Sequence, residues 1–324
     1  MKVMKSKMLL EKRLEKTRKK FVAVEKPPFP NNMLLEITNS CNLKCTFCAR
    51  KKMKSKPSFI DKKLAFSMLN QAYELGVRDV GIYGRGESML SPILNDCITE
   101  AKRIGYEYVY LDTNGCCSRD KLQSVVDVGL DSIKFSINAG TKETYKMIHG
   151  RDCFEKVIDN IKFISHVREN SDVSFKLFAS YVVTEENKNE KEKLKNILED
   201  YVDEILFHNI VNPGGLMPEN DPLVFDVPIT ELRCHDIFNR FHVTADGLLT
   251  TCCVDYGANF IMADLHNVSL KEAWHNDKFV GFRRMHIKGE IKSGLCYDCL
   301  RSRARMKDII SSKNYEKDIT RSNI

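Results

Sequence analysis

Cys41, Cys45 and Cys48 fall within eight residues, in the run Cys41-Asn42-Leu43-Lys44-Cys45-Thr46-Phe47-Cys48. Three thiolates at this spacing can hold three irons of a [4Fe-4S] cube. No fourth cysteine lies nearby, so one iron keeps an open coordination position, and open positions are where metal sites do chemistry. A zinc knuckle is the alternative use of such a triplet. Zinc takes four ligands, however, and the nearest other cysteine is Cys97. The triplet directly follows Met33-Leu34-Leu35-Glu36-Ile37-Thr38, an apolar run that reads as a short buried strand.

A second constellation lies downstream, with Cys234, Gly247, Cys252-Cys253 and Cys296-Tyr297-Asp298-Cys299. Phe241–Thr244 and Leu248–Thr251 flank Asp246-Gly247, which signals a β-hairpin. The hairpin returns the Cys252 end toward the Cys234 end, and the C-x2-C pair completes a four-ligand set. On spacing alone such a set reads as zinc.

The elements that must carry these residues alternate strand and helix. Strands are expected at 33–38, 79–83, 108–111, 131–137, 173–183 and 204–208. Helices are expected at 61–75, 92–104, 120–128, 154–168 and 187–201, with Gly76 and Gly105 as stops. Six successive β/α units imply a parallel sheet, curved or partly closed, with its chemistry at the C-terminal strand ends. The fold class expected is α/β: a partial (β/α)6 barrel of parallel strands with a small C-terminal cysteine-rich domain containing a β-hairpin. The boundaries expected are a basic extension over 1–32, the barrel over 33–211, a Pro/Gly-rich linker over 212–230, the small domain over 231–300 and a basic tail over 301–324.

Composition sets the surroundings. The chain has 324 residues, 43% of them apolar, enough for one large or two modest domains. No apolar stretch approaches the ~20 residues that span a bilayer. Met8-Leu9-Leu10 is too short for the apolar core of a signal peptide. Twelve cysteines without an export signal point to a reducing, cytoplasmic setting, where cysteine clusters mean metals or chemistry before disulfides. The net charge of +7 belongs to the ends: residues 1–26 carry +7 and 300–324 carry +4, leaving −4 for 27–299. The basic ends could touch nucleic acid or an anionic surface, but a solvated helix and a frayed tail are the plainer reading. No aromatic interleaving of the single-strand-binding kind is present, so nucleic acid is not an expected partner.

The C-x3-C-x2-C spacing resembles the signature of the radical S-adenosylmethionine (SAM) enzymes. The resemblance covers about residues 33–300. It implies that the amino and carboxylate groups of SAM chelate the open iron, and that reduction yields a 5′-deoxyadenosyl radical. It also implies an external electron donor such as flavodoxin or ferredoxin. Tyr83-Gly84-Arg85-Gly86-Glu87-Ser88 resembles the family's Gly-Gly-Glu-Pro segment, whose backbone grips the SAM amino group. Gly84, Gly86 and Glu87 are candidates on that basis, although Ser88 stands where the family often has Pro and Arg85 lies inside the motif. Phe47 matches an aromatic that packs on adenine. Asp112-Thr113-Asn114-Gly115 resembles a turn beside the substrate. Ser136 and Asn138 match polar residues that hold the ribose and carboxylate of SAM, and Arg151 could pair with that carboxylate. Downstream, the pattern Cys, twelve residues, Gly, four residues, Cys resembles the first half of the SPASM motif. With a single further C-x2-C pair it looks like the shorter Twitch variant. That implies an auxiliary [4Fe-4S] cluster on Cys234, Cys252, Cys296 and Cys299, with Trp274 packing the small domain.

Three reaction classes are open. The first is dehydrogenation or epimerisation of a small polyhydroxylated or amino-sugar substrate, with the auxiliary cluster as electron acceptor. The second is modification of a peptide. The third is no enzyme at all, but a zinc scaffold or nucleic-acid adaptor. Dehydrogenation needs a base for the hydroxyl proton, and His208 at the end of the sixth strand is the candidate. Epimerisation needs a hydrogen-atom donor, and Cys117 is the candidate. Cys97, Cys116, Cys153 and Cys253 read as buried free cysteines acting as small hydrophobes.

Overall fold

The computed structural model describes residues 10, 13, 21–217, 234–303 and 310–311. Six strands follow one another in parallel: β1 (Asn32–Leu35), β2 (Asp79–Gly81), β3 (Tyr108–Thr113), β4 (Ser132–Ser136), β5 (Lys176–Val183) and β6 (Glu204–Asn209). The connecting helices are α1 (Lys62–Glu74), α2 (Leu94–Ile104), α3 (Arg119–Asp127), α4 (Lys142–His149), α5 (Phe154–Glu169) and α6 (Lys191–Leu198). Local chemistry sets their ends. The Asp61 carboxylate accepts from the Lys63 and Leu64 N–H groups, the Ser118 hydroxyl from Lys121 N, and Gly105 ends α2 at φ 111°.

Strand alternation builds two different faces. Met33, Leu35, Val80, Val109, Leu111, Ile133, Phe135, Leu177 and Ile205 join the apolar helix faces in one buried core. The alternate positions point into the lumen and are mostly polar: Asn32, Asp79, Tyr110, Asp112, Lys134, Ser136, Ser180 and His208. This is a partial (β/α)6 barrel whose hydrophobic core lies outside the strands and whose lumen wall is mostly polar.

The C-terminal part contributes α7 (Asp236–Asn239), β7 (Arg240–Val243), β8 (Leu248–Thr250), β9 (Ile261–Asp264), α8 (Leu270–Trp274), α9 (Asp277–Lys288) and α10 (Gly294–Arg303). The hairpin β7–β8 forms as the Asp246-Gly247 signal predicts, with Gly247 at φ 73°. It does not stand apart, because β7 pairs in parallel with β1 and Glu36 N donates to Val243 O at 2.9 Å. An open β1 edge would leave a row of unpaired backbone groups, and β7 fills it. The result is one ten-stranded sheet in the order β10-β6-β5-β4-β3-β2-β1-β7-β8-β9, where β10 is Ile310–Ser311.

Trp274 is fully buried, edge-on to Phe241 and Phe279 at 4.9 and 5.0 Å, and its indole N–H donates to Pro28 O. At the N-terminal end of the barrel strands, the Arg13 guanidinium pairs with Asp79 at 2.9 Å and lies 3.4 Å over the Tyr108 ring. Leu10 N donates to Glu204. Residues 10 and 13 therefore sit against the N-terminal ends of β2, β3 and β6. The start of the expected linker, Pro213–Gly215, is a tight turn in which Gly214 and Gly215 lie against Leu295 and Asp298 of α10. The rest of that linker, residues 218–230, and most of both basic ends lie outside the described residues.

Candidate functional site

The cysteine loop leaves β1 and is pinned at several points. Asn39 donates its amide to Lys56 O and accepts from Ser58 N, and Thr38 Oγ1 donates to Ser58 O at 2.8 Å. Lys44 N and Thr46 N donate to His149 O and Ile148 O, the last carbonyls of α4. Cys41, Cys45 and Cys48 are brought close enough to feel one another electrostatically, and burial pushes the Cys41 and Cys45 thiols up. Each sulfur meets a polar group. Asn114 Nδ2 lies 3.9 Å from Cys41, His149 Nδ1 lies 3.1 Å from Cys45, and the Tyr256 hydroxyl hydrogen-bonds Cys48. Three sulfurs on one pinned loop, with hydrogen-bonding groups that set the properties of a cluster, fit three-thiolate ligation of a cube.

The Gly84–Glu87 segment packs directly on this loop. A Cβ on Gly86 would run into the Thr38 and Ser40 carbonyls, and one on Gly84 would meet the Glu36 side chain. Gly86 is needed because two loop backbones touch there, and Gly84 because the Glu36 side chain lies against it. Glu87 N donates to Ser40 O at 2.7 Å. The Glu87 carboxylate is occupied by the chain itself: it accepts from Thr113 Oγ1, Asn114 N and Met89 N at 2.8, 2.7 and 3.0 Å. Burial pushes that carboxyl up while those donors oppose it. Any contact of Glu87 with a ligand is thus left to its backbone. Arg85, inside the motif, makes a two-pronged buried ion pair with Glu36, through Nε–Oε2 at 2.8 Å and Nη2–Oε1 at 2.7 Å. The same carboxylate accepts from Ala245 N, so the pair ties the β1 and β2 loops to the hairpin turn.

The other expected SAM contacts are distributed unevenly. Ser136 faces the lumen, with its hydroxyl 3.4 Å from Ser180 Oγ. Phe47 is half-buried on the cysteine loop and Arg151 is exposed just past α4. Asn138 has another task. It is 2% exposed and left-handed at φ 56°; its amide oxygen accepts from Val182 N at 2.7 Å and its amide nitrogen lies 3.5 Å from His149. With both polar ends turned into the protein, its side chain shapes the turn after β4 rather than reaching a ligand.

The expected catalytic residues lie apart. His208 is half-buried on the lumen side of β6, beside Val182 of β5. Cys117 lies at the start of α3, with Glu87, Lys156 and Lys121 as its charged neighbours, and burial pushes its thiol up to about 12. Cys116 and Cys153, expected as separate small hydrophobes, are paired as a disulfide across 37 residues, which joins the loop after β3 to the start of α5.

The sequence reading missed several residues. Glu36 stands as a lone charge in an apolar run, a signal that could have marked it. Lys134 pairs with Asp112 at 2.7 Å across β3 and β4, each about one-fifth exposed, within the lumen. Tyr83 sits edge-on to Tyr110 at 5.8 Å beside them. His149 is 1% exposed, stacked on Tyr145 at 4.2 Å and 2.6 Å from Ile137 O; burial holds its imidazole down at about 4.

In the second constellation Cys252 is buried with Cys253, Cys234 and Cys299 as neighbours, and burial pushes its thiol well up. Cys296 and Cys299 share α10, one turn apart. Among the described residues no three His, Cys, Asp or Glu converge closely enough to hold a single metal ion. A cube spreads its thiolates over four irons and does not ask for that convergence.

Comparison with known proteins agrees with this arrangement. The family model described as the Radical SAM superfamily matches residues 35–198, and the SPASM model, an iron-sulfur cluster-binding domain, matches 234–300. A probable GTP 3′,8-cyclase of Saccharolobus solfataricus is 26% identical, over 68% of this chain and 82% of its own. One from Saccharolobus islandicus is 30% identical over 40% of this chain and 42% of its own. Among solved structures, BtrN in complex with AdoMet and 2-DOIA has a TM-score of 0.58 at 18% identity, covering 87% of this chain and 99% of its own. Streptococcus suis SuiB bound to precursor peptide SuiA has a TM-score of 0.63 at 16% identity, covering 83% and 68%. AnSMEcpe with bound AdoMet has a TM-score of 0.62 at 15% identity, covering 90% and 99%.

Proposed function

The chain belongs to the radical SAM superfamily, and we propose that it oxidises or epimerises a small polyhydroxylated or amino-sugar-type substrate. Its cofactors are a [4Fe-4S] cluster with SAM and an auxiliary cluster in the SPASM-type part. When bound, SAM and its cluster supply a carbon radical able to take a hydrogen atom from a substrate carbon. Cys41, Cys45 and Cys48 would hold the first cluster, and Cys234, Cys252, Cys296 and Cys299 the second. Gly84 and Gly86 let the β2 loop approach SAM closely.

The observation that carries the substrate reading is the lumen wall. Its cations are matched by anions: Lys134 by Asp112 on the neighbouring strand, and Arg240 by Asp236 of α7 at 3.3 Å. Tyr83 stands beside Asp112 and Arg240 and Tyr110 beside Arg240, and the hydroxyls of Ser136 and Ser180 face each other across β4 and β5. Such a wall suits a small ligand rich in hydroxyl or amino groups, which exchanges hydrogen bonds without needing charge neutralisation. The match along nearly the whole of BtrN supports the same build. In this reading His208 accepts the proton of the substrate hydroxyl in an oxidation, and Cys117 gives a hydrogen atom in an epimerisation.

A second reading follows from the relatives' names, since GTP 3′,8-cyclases would make the substrate a nucleoside triphosphate. A triphosphate would ask for cations in excess of anions on the lumen wall.

Incubation of reduced holoenzyme in D2O with SAM and a panel of aminocyclitols, sugar nucleotides and GTP tests these readings. A hydroxylated substrate should give a ketone without carbon-bound deuterium, lost in His208→Ala with SAM cleavage intact. One solvent deuterium at carbon, lost in Cys117→Ser, would mean epimerisation. Turnover of GTP alone would replace the proposal with the second reading.

A further inference from the structure

The loop that carries the three cysteines is also strongly basic. From Lys44 to Lys63 eight cationic side chains face one carboxylate, Asp61, for a net charge of +7. The remainder of residues 27–299 carries −11, so the basicity is local to this loop. Lys44, Lys52, Lys54, Lys56 and Lys63 are exposed, and Lys62 pairs with Asp96 at 2.9 Å. Lys44 and Thr46 alternate with the cysteines and are themselves exposed, so the outer side of the cysteine loop is protein surface. The backbone bonds from Lys44 and Thr46 to α4 join this face to exposed Lys146 and to Arg151 just beyond the helix. Phe59, 49% exposed, stands in the same segment and offers an apolar contact within the charged field.

We propose that this lysine-rich face is the docking surface for an acidic one-electron carrier protein. The proposal rests on the reading of Cys41, Cys45 and Cys48 as ligands of the SAM cluster. In the step it serves, the carrier is oxidised by one electron and the cluster is reduced by one; no bond forms and no proton crosses the interface. A positive field around the entry point of the electron steers an acidic carrier into contact, raising the association rate and leaving the complex weak enough to separate. Nucleic acid is the other polyanion such a face could attract. A single exposed aromatic gives bases little to stack on, and the field surrounds a redox centre, which favours the carrier.

The test uses the reconstituted holoenzyme and a variant carrying Lys52→Glu, Lys54→Glu and Lys56→Glu. These side chains make none of the hydrogen bonds that pin the cysteine loop. An acidic flavodoxin in its reduced form serves as probe, with cluster reduction followed by stopped-flow absorbance and binding of oxidised flavodoxin followed by anisotropy. At ~0.01 M salt the variant's reduction rate and flavodoxin affinity should each fall about tenfold or more. The difference should shrink to about twofold or less near ~1 M, as the screening length drops from about 30 Å to about 3 Å. Photoreduced 5-deazariboflavin, a small neutral reductant, should reduce both proteins at the same rate. Equal flavodoxin rates in wild type and variant would overturn the docking surface while leaving the cluster reading intact. Failure of deazaflavin to reduce any cluster able to cleave SAM in wild type would instead remove the reading on which the proposal rests. Tighter binding of single-stranded RNA than of flavodoxin, lost in the variant, would assign the face to nucleic acid and overturn the proposal.

Discussion

The chemistry of this chain rests on single residues that the protein holds in one geometry. Glu36 and Arg85 show how. The pair is buried and made by two short hydrogen bonds, and its carboxylate also receives Arg85 N and Ala245 N. Removing the guanidinium leaves a buried carboxylate with only backbone donors. Arg85→Met is expected to cost about 3–5 kcal/mol, and the double variant Glu36→Gln with Arg85→Met distinctly less, because no charge is then stranded. Denaturant unfolding of the three proteins checks this; equal losses would place the pair outside the stability of the loop junction. The cysteine triplet and the Gly84–Glu87 segment could be read from the sequence because their meaning lies in spacing. His149, Tyr256 and Lys134 could not. Each acts through a neighbour from another element, and nothing local marks them.

At the scale of elements, the period-2 pattern of β1–β6 separates core from lumen clearly enough to be read along the chain. The helix α4 has no counterpart among the expected elements. Its eight residues give two turns of mixed polarity, and its stability is tertiary: Glu190 accepts from Gly140 N and from the Thr141 and Thr144 hydroxyls. The placement of β7 beside β1 was equally hidden, since Arg240-Phe241-His242-Val243 would suit many strand partners. What the elements achieve at the site is close approach of loops. Gly86→Ala would force the β2 loop off the Thr38 and Ser40 carbonyls. It is expected to weaken SAM binding about tenfold or more in equilibrium dialysis, while the circular dichroism spectrum is retained. Unchanged SAM affinity would show that the packing of these loops does not shape the SAM site.

At the scale of the whole molecule, one continuous sheet joins the barrel strands to the C-terminal β7–β9, and Trp274 is buried where the C-terminal part meets Pro28. Two cubes require about eight irons per chain, four for each. Cys296→Ala with Cys299→Ala should reduce the count to about four and spare SAM cleavage in the absence of substrate. A wild type that reconstitutes to only about four irons and binds zinc tightly would contradict the second cluster. No helix among the described residues is long and apolar enough to cross a membrane. The central claim is that Cys41, Cys45 and Cys48 hold the cluster that reduces SAM. The most direct measurement is the yield of 5′-deoxyadenosine from SAM and dithionite, with wild type and Cys45→Ala compared at equal protein. The wild type should form it steadily and the variant none above background; 5′-deoxyadenosine from Cys45→Ala at a rate comparable to wild type would contradict this ligation.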